Sequence, residues 1–290
     1  MSKITVCLLL AVCLLTAACG AASEGIAVTA TFYPIYLATI NIARGVEGVE
    51  VSCLTPPSAG CLHDYQMTAA DRRVLADSDV VVFNGAGLET FLDKLLPQLD
   101  AAAVDASEGI SLLPGHESEQ NPHVWVSISG AVAQTQNIAR GLAAADPQHA
   151  EQYEANCEAY VAKLETLRQE TASALAPYAG AKIVTFHEAF DYYANEFGLQ
   201  VAAVVQHDEG NAPSAREIAQ MLAIIEEQGV SALFAEPQYA DDSIDLIARE
   251  TGLPVYELDP VVSGEADPED FDAYLRIMRQ NLQTLLEALS

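Results

Sequence analysis

The sequence predicts an α/β protein made of two parallel-sheet lobes joined by one long rigid helix. Short β-rich runs with no polar alternation are separated by helical stretches, as expected of parallel strands covered by helices on both faces. That pattern runs twice, once on each side of a central stretch, 147–175, that carries no strand signal. Within it Tyr153, Cys157, Tyr160, Leu164, Leu167, Thr171 and Ala174 step by alternating fours and threes, one apolar seam on a single helix. With 290 residues and a 51% apolar composition, the chain can bury a core in each lobe.

In order, the chain opens on "MSKITVCLLLAVCLLTAACG". Lys3 forms a small basic head, and the apolar run from Ile4 to Leu15 is too short to span a bilayer comfortably. Leu15-Thr16-Ala17-Ala18-Cys19-Gly20 has the form of a lipoprotein cleavage box, with Thr16 where a leucine is usual. Residues 1–18 therefore read as a signal peptide and Cys19 as the lipid-bearing first residue of the mature chain, with plain signal cleavage as the competing reading. No later stretch is long and apolar enough to cross a membrane.

The N-terminal lobe, 19–145, has strands at 26–31, 50–54, 80–83 and 102–104 and helices at 35–44, 68–76 and 129–143. The polar stretch "LPGHESEQNP", 113–122, is the nearest thing to a linker. The linking helix, 146–178, takes Asp146 as N-cap with Pro147 in its first turn, and Pro177 with Gly180 end it. About 28 residues at 1.5 Å each make a strut of roughly 42 Å, and no second long helix is assigned to pair with it. The C-terminal lobe, 179–290, repeats the theme with strands at 182–186, 201–205, 232–235 and 255–258 and helices at 188–197, 215–227 and 243–251.

The formal charge is −28, from 13 Lys and Arg against 41 Asp and Glu. Such a surface repels phosphate backbones and anionic lipid headgroups, which argues against nucleic acid as a partner, and it concentrates cations. Once Cys7 and Cys13 leave with the signal, Cys53 and Cys61 bracket a short loop, "CLTPPSAGC". Export favours a disulfide between them, worth about 2.5 kcal/mol in the chain-entropy model. The rival is Cys61 as a soft metal ligand near His63. Cys157 lies on the helical seam and reads as core.

Three of six histidines share a setting. His63 follows the second strand, His123 precedes the helix at 129–143, and His187 ends the strand at 182–186. Asp259 follows the last strand. Ligands in parallel α/β sheets bind beyond the carboxyl ends of the strands, so two groups from each lobe converge in the interlobe cleft. Three imidazoles and one carboxylate suit tetrahedral zinc. For a lone histidine a surface role is the better assignment, and His116 and His149 receive it. His207 also follows a strand, but Asp208 and Glu209 beside it point to a solvated loop.

"VVVFNGAGLETFLDKLL", "NPHVWVS", "VTFHEAFDYYANEFGL" and "VYELDP" resemble, in the same order, the landmarks of the zinc and manganese substrate-binding lipoproteins of ABC importers, the ZnuA-like or cluster A-I family. The resemblance runs from about Ala27 to the C-terminus. It implies two α/β lobes tied by a long helix, a metal in the cleft between them, and delivery of that metal to a membrane permease driven by an ATPase. It places the family's ligands on His63, His123, His187 and Asp259. A histidine at His187 is the zinc binders' pattern, where manganese binders carry a carboxylate, and imidazole suits Zn²⁺ better than Mn²⁺. The chain departs from the pattern at Asn121, where an acid is common, and in lacking a long His-rich loop; the Cys53–Cys61 pair is not a general family feature. The implied location is extracytoplasmic, lipid-anchored at the cell membrane or periplasmic, and the default state is a monomer.

The remaining features have ordinary readings. Glu188 suits the first turn of a helix by its dipole, Phe190 and Tyr193 pack that helix on its sheet, and Trp125 is a wall of the cleft. Gly85-Ala86-Gly87 is a tight turn after a strand, not a phosphate loop. The competing function is a zinc-dependent hydrolase with Glu188 or Glu236 as base, open only if Asp259 does not ligate. An adhesin or a manganese-binding member of the family is a further alternative. A rigid linking helix predicts small lobe tilts rather than wide hinge closure.

Overall fold

The computed structural model describes residues 25–56, 59–62, 65–115, 120–204, 215–230, 232–237 and 242–290. Cys7, Cys13, Cys19, His63, His116 and His207 lie outside these. Among the described residues, two four-stranded, wholly parallel sheets have the same winding. The first contains β1 (Ile26–Ala30), β2 (Val49–Cys53), β3 (Val80–Phe83) and β4 (Ala102–Asp105) in the order β2-β1-β3-β4. The second contains β5 (Lys182–Thr185), β6 (Gln200–Val204), β7 (Leu233–Ala235) and β8 (Val255–Glu257) in the order β6-β5-β7-β8. In each sheet the chain winds one way and then the other from its first strand, which opens a crevice at the carboxyl ends.

The α-helices among the described residues are α1 (Tyr33–Ile42), α2 (Ala69–Ala76), α3 (Ile128–Ala145), α4 (Ala150–Leu175), α5 (Asp191–Phe197), α6 (Ala215–Gln228), α7 (Asp242–Thr251) and α8 (Ala273–Leu289). Local chemistry fixes several starts. Thr68 and Asp71 form a reciprocal capping box at α2, and the Ser127 hydroxyl accepts the Gly130 N–H at 3.1 Å at the start of α3.

The linking helix departs from expectation in two ways. A 3-10 turn, Pro147–His149, separates Asp146 from α4, which has 26 residues and a length of about 39 Å. Asp146 does not cap α4; its carboxylate accepts His149 Nδ1 at 2.6 Å and the Tyr153 hydroxyl at 2.9 Å, tying down the corner. Nor is α4 without a partner. Helix α3 folds back along it as a hairpin, and α8, to which the sequence reading assigned no element, packs on it as well. The seam is where periodicity put it: Tyr153, Tyr160, Leu164, Leu167 and Thr171 are buried, Cys157 and Ala174 half-buried.

One hydrophobic core runs from Val28 and Val80 of the first sheet through Tyr153 and Leu164 of α4 to Phe234 of the second sheet and Leu285 of α8. Polar bonds cross the same boundary. Trp125 Nε1 donates to the Pro260 carbonyl at 2.7 Å, the Tyr274 hydroxyl to the Trp125 carbonyl at 2.8 Å, and Asn41 Nδ2 to the Phe271 carbonyl at 3.0 Å. Opening the lobes widely would expose this shared core, so the architecture opposes a large hinge motion. No helix among the described residues is long and apolar enough to cross a membrane.

Candidate metal centre

Three chain segments at the carboxyl ends of strands deliver the donors. Cys61 lies in the loop after β2, held by its neighbour Leu62, which is completely buried. His123 heads a 3-10 turn, Val124–Val126, whose three side chains are all buried. That turn lies so close to α3 that a Cβ on Gly130 would fall 2.1 Å from the Val124 carbonyl oxygen, so only glycine fits there. His187 follows β5 in extended conformation and leads into the 3-10 turn Glu188–Phe190.

Cys61 Sγ and a ring nitrogen from each of His123 and His187 lie within 4.8 Å of one another. Cys61 Sγ is 3.3 Å from His123 Nε2, and the two imidazoles meet edge to face with centroids 4.5 Å apart. Hydrogen bonding sets the tautomer of His123. Asn121 Nδ2 donates to the Glu188 carbonyl at 2.9 Å, so Asn121 Oδ1 is the atom facing His123, where it accepts the backbone N–H at 2.9 Å and Nδ1–H at 2.8 Å. Nε2 therefore carries the lone pair and points it at the cluster. On His187, Nδ1 lies 3.1 Å from Glu236 Oε1, which leaves Nε2 as that ring's donor atom. An imidazole held through its far nitrogen by a carboxamide or carboxylate is the arrangement that orients metal-binding histidines.

The electrostatics suit a cation. Burial pulls the His187 pKa down, but Glu236 foremost, then Glu188 and Asp191, more than reverse this and raise it. Asp259 follows β8 and is pushed up to about 6, first by burial and further by Glu236 and Glu257, against the Val261 N–H, which donates to its Oδ1 at 2.7 Å. Asn281 of α8 grips the Asp259 backbone from both sides, accepting its N–H at 2.9 Å and donating to its carbonyl at 2.7 Å. Val261 is fully buried and has φ of 64°, a left-handed conformation that strains a β-branched residue by about 1–3 kcal/mol. The surrounding packing thus fixes the Asp259 loop in one shape.

A buried polar network behind His123 was not read from the sequence. Asn84 Nδ2 donates to the Pro122 carbonyl at 3.0 Å, and Asn84 Oδ1 accepts Gln134 Nε2 at 2.7 Å. The Glu89 carboxylate accepts the Asn84 N–H at 2.7 Å, the Gly85 N–H at 3.1 Å and the Thr31 hydroxyl at 2.7 Å. Residues 85–87 all have positive φ, including the non-glycine Ala86 at 53°, so the "GAG" segment is a sharp turn closed by Glu89. Part of the signal was present within "NGAGLE", but Thr31, Pro122 and Gln134 lie far off in the chain.

Of the four groups singled out in the sequence, His123 and His187 meet, Asp259 stands at the end of β8 beside Glu236, and His63 is outside the described residues. The expected Cys53–Cys61 disulfide is not formed. Cys53 ends β2 with its thiol pushed up to about 12 by burial, whereas Leu62 anchors the loop so that the Cys61 sulfur faces His123. Trp125 is 1% exposed, packs its ring 5.2 Å from that of His123 and donates to the Pro260 carbonyl, so it backs the site and also ties the lobes. Thiol, imidazole and carboxamide in line also describe a nucleophile, base and orienting group. A second imidazole converging on the same thiol makes a donor basket instead.

The family model described as "Zinc-uptake complex component A periplasmic" (ZnuA) matches residues 28–288. The high-affinity zinc uptake system protein ZnuA of Bacillus subtilis is 30% identical, over 95% of this chain and 94% of its own. Among solved structures, the SBP FpvC of Pseudomonas aeruginosa in complex with Mn²⁺ superposes with a TM-score of 0.81 at 29% identity, covering 92% of this chain and 98% of that one. A crystal structure of ZnuA gives 0.79 at 29% identity, covering 92% of this chain and 100% of that one.

Proposed function

Because the chain belongs to the ZnuA family of periplasmic zinc-uptake components, which are binding proteins and not enzymes, we propose that it captures Zn²⁺ outside the cytoplasm and passes it to the permease of an ABC importer. The proposed holders are His123 and His187, with His63 and Asp259 completing the sphere. The observation that carries this reading is the meeting of two oriented imidazoles from different lobes at a point ringed by carboxylates. Nitrogen donors with fixed tautomers favour zinc over manganese, which is better served by oxygen and a higher coordination number. The relative FpvC is described with Mn²⁺; the donor set here argues for zinc as the cargo.

In the same proposal, residues 1–18 are removed, Cys19 carries lipid and tethers a monomer to the membrane, and an ATPase behind the permease drives uptake. The lobes 19–145 and 179–290 move little on binding, because they share one core with the helix 146–178. Release then depends on the permease distorting a loop at the site rather than on a spontaneous opening of the lobes. The test is His187→Ala, with zinc stoichiometry and affinity measured against a chelator. Loss of tight binding in a variant that keeps its folded circular dichroism is expected; unchanged tight binding removes His187 from the site and the reading with it.

A further inference from the structure

We infer that Cys61 binds the cargo ion directly through its sulfur, making a mixed sulfur and nitrogen site that favours thiophilic ions and turns away Mn²⁺. The inference rests on the metal-capture reading above and assigns a donor that reading does not contain. Its first support is metric. Two ligands across a tetrahedral angle, with Zn–S of about 2.3 Å and Zn–N of about 2.0–2.1 Å, stand about 3.5 Å apart; Cys61 Sγ and His123 Nε2 stand 3.3 Å apart. The second is directional. Asn121 holds the proton of His123 on Nδ1, so the nitrogen facing the sulfur presents a lone pair. The third is that His187, from the other lobe, places a ring nitrogen within 4.8 Å of both.

The loop is also built to hold that position. Leu62 is buried, the Tyr65 N–H donates to the Leu62 carbonyl at 3.1 Å, and the Tyr65 hydroxyl is fixed on Asp71 at 2.9 Å. Tyr65 packs on Phe91 with centroids 5.4 Å apart. The presenting segment is therefore tied to α2 and to the chain after β3 rather than left to find the ion.

Coordination involves no redox step. The thiol S–H bond breaks, its proton leaves to solvent, and the sulfur lone pair forms the bond to the ion, so binding releases one proton for the sulfur. The loop after β2 holds two candidate donors, Cys61 and His63, and the sulfur adds to the set of His63, His123, His187 and Asp259 proposed above. Thiolate and carboxylate together neutralise a divalent ion. Soft sulfur favours Zn²⁺ and Cd²⁺ and contributes little to Mn²⁺.

The test uses the reduced mature protein loaded with one equivalent of Co²⁺ as a spectroscopic stand-in for Zn²⁺. Expected are an intense near-ultraviolet sulfur-to-cobalt charge-transfer band in the wild type, its loss in Cys61→Ser, and weakening of zinc binding in that variant by about tenfold or more, with a larger loss for Cd²⁺. Wild-type protein that binds cobalt and zinc tightly without the band overturns the role of Cys61 and leaves the metal-capture reading standing. Wild-type protein that binds neither ion overturns both. The wild-type spectrum decides the matter even if the serine variant fails to fold.

Discussion

Asn121→Ala removes the group that holds His123 in its donor orientation, and the cost follows from the bonds lost. The Asn121 carboxamide is fully buried, accepts two N–H groups of His123 at 2.9 and 2.8 Å, and donates to the Glu188 carbonyl at 2.9 Å. Truncation strands two buried donors and one carbonyl. At about 1–3 kcal/mol for each buried group left unsatisfied, with partial relief by relaxation or water, the metal-free protein should lose about 3 kcal/mol. Loss of the orienting partner of a metal-binding histidine should weaken zinc binding by about 10–100-fold, or about 1.4–2.8 kcal/mol. Asn121→Asp keeps the acceptor but sets a second carboxylate against the Glu188 carbonyl and Asp191, so it should retain affinity within about tenfold while still losing stability. Chelator competition for zinc and denaturant melts of the metal-free proteins measure the two effects. Wild-type affinity in Asn121→Ala would refute the claim that this carboxamide sets the tautomer and aim of His123.

Two further outcomes are expected. Trp125→Phe keeps the edge-on contact with Phe32 at 5.0 Å but strands the Pro260 carbonyl, so it should cost about 1–3 kcal/mol in urea unfolding and weaken zinc binding through the Asp259 loop; a variant unchanged in both measurements removes Trp125 as an interlobe tie. Glu89 is pushed up by burial from 4.5 to about 7, against its three hydrogen bonds, so the folded protein keeps a proton that the unfolded chain gives up. The stability this confers is complete below about pH 4.5 and disappears as pH rises through about 7, a loss of about 3 kcal/mol that melts of the metal-free protein across this range should show, and that should shrink in Glu89→Gln.

Much of the frame was legible because the physics behind it is local. "VVVF" and "KIVT" read as strands because parallel strands buried on both faces need no polar alternation, and the seam from Tyr153 to Thr171 read as one helix from its period alone. What escaped was set at long range. Helix α8 hides part of its buried face in polar residues such as Asn281, whose partner Asp259 lies 22 residues earlier. The sequence offered Cys61 a disulfide with Cys53 or a metal near His63; that its sulfur faces His123, 62 positions away, is set by the fold and not by either neighbour in the chain. Asn121 stood out as a departure from an acidic pattern, yet its carboxamide supplies an acceptor to Nδ1 without adding charge.

Metal analysis of the protein purified from its own cell envelope decides which ion the cleft carries. Expected is a single zinc ion per chain, removed by a strong chelator and restored by Zn²⁺ but not by Mn²⁺ at matched concentration. Protein that arrives carrying manganese, or that takes up Mn²⁺ as readily as Zn²⁺, contradicts it.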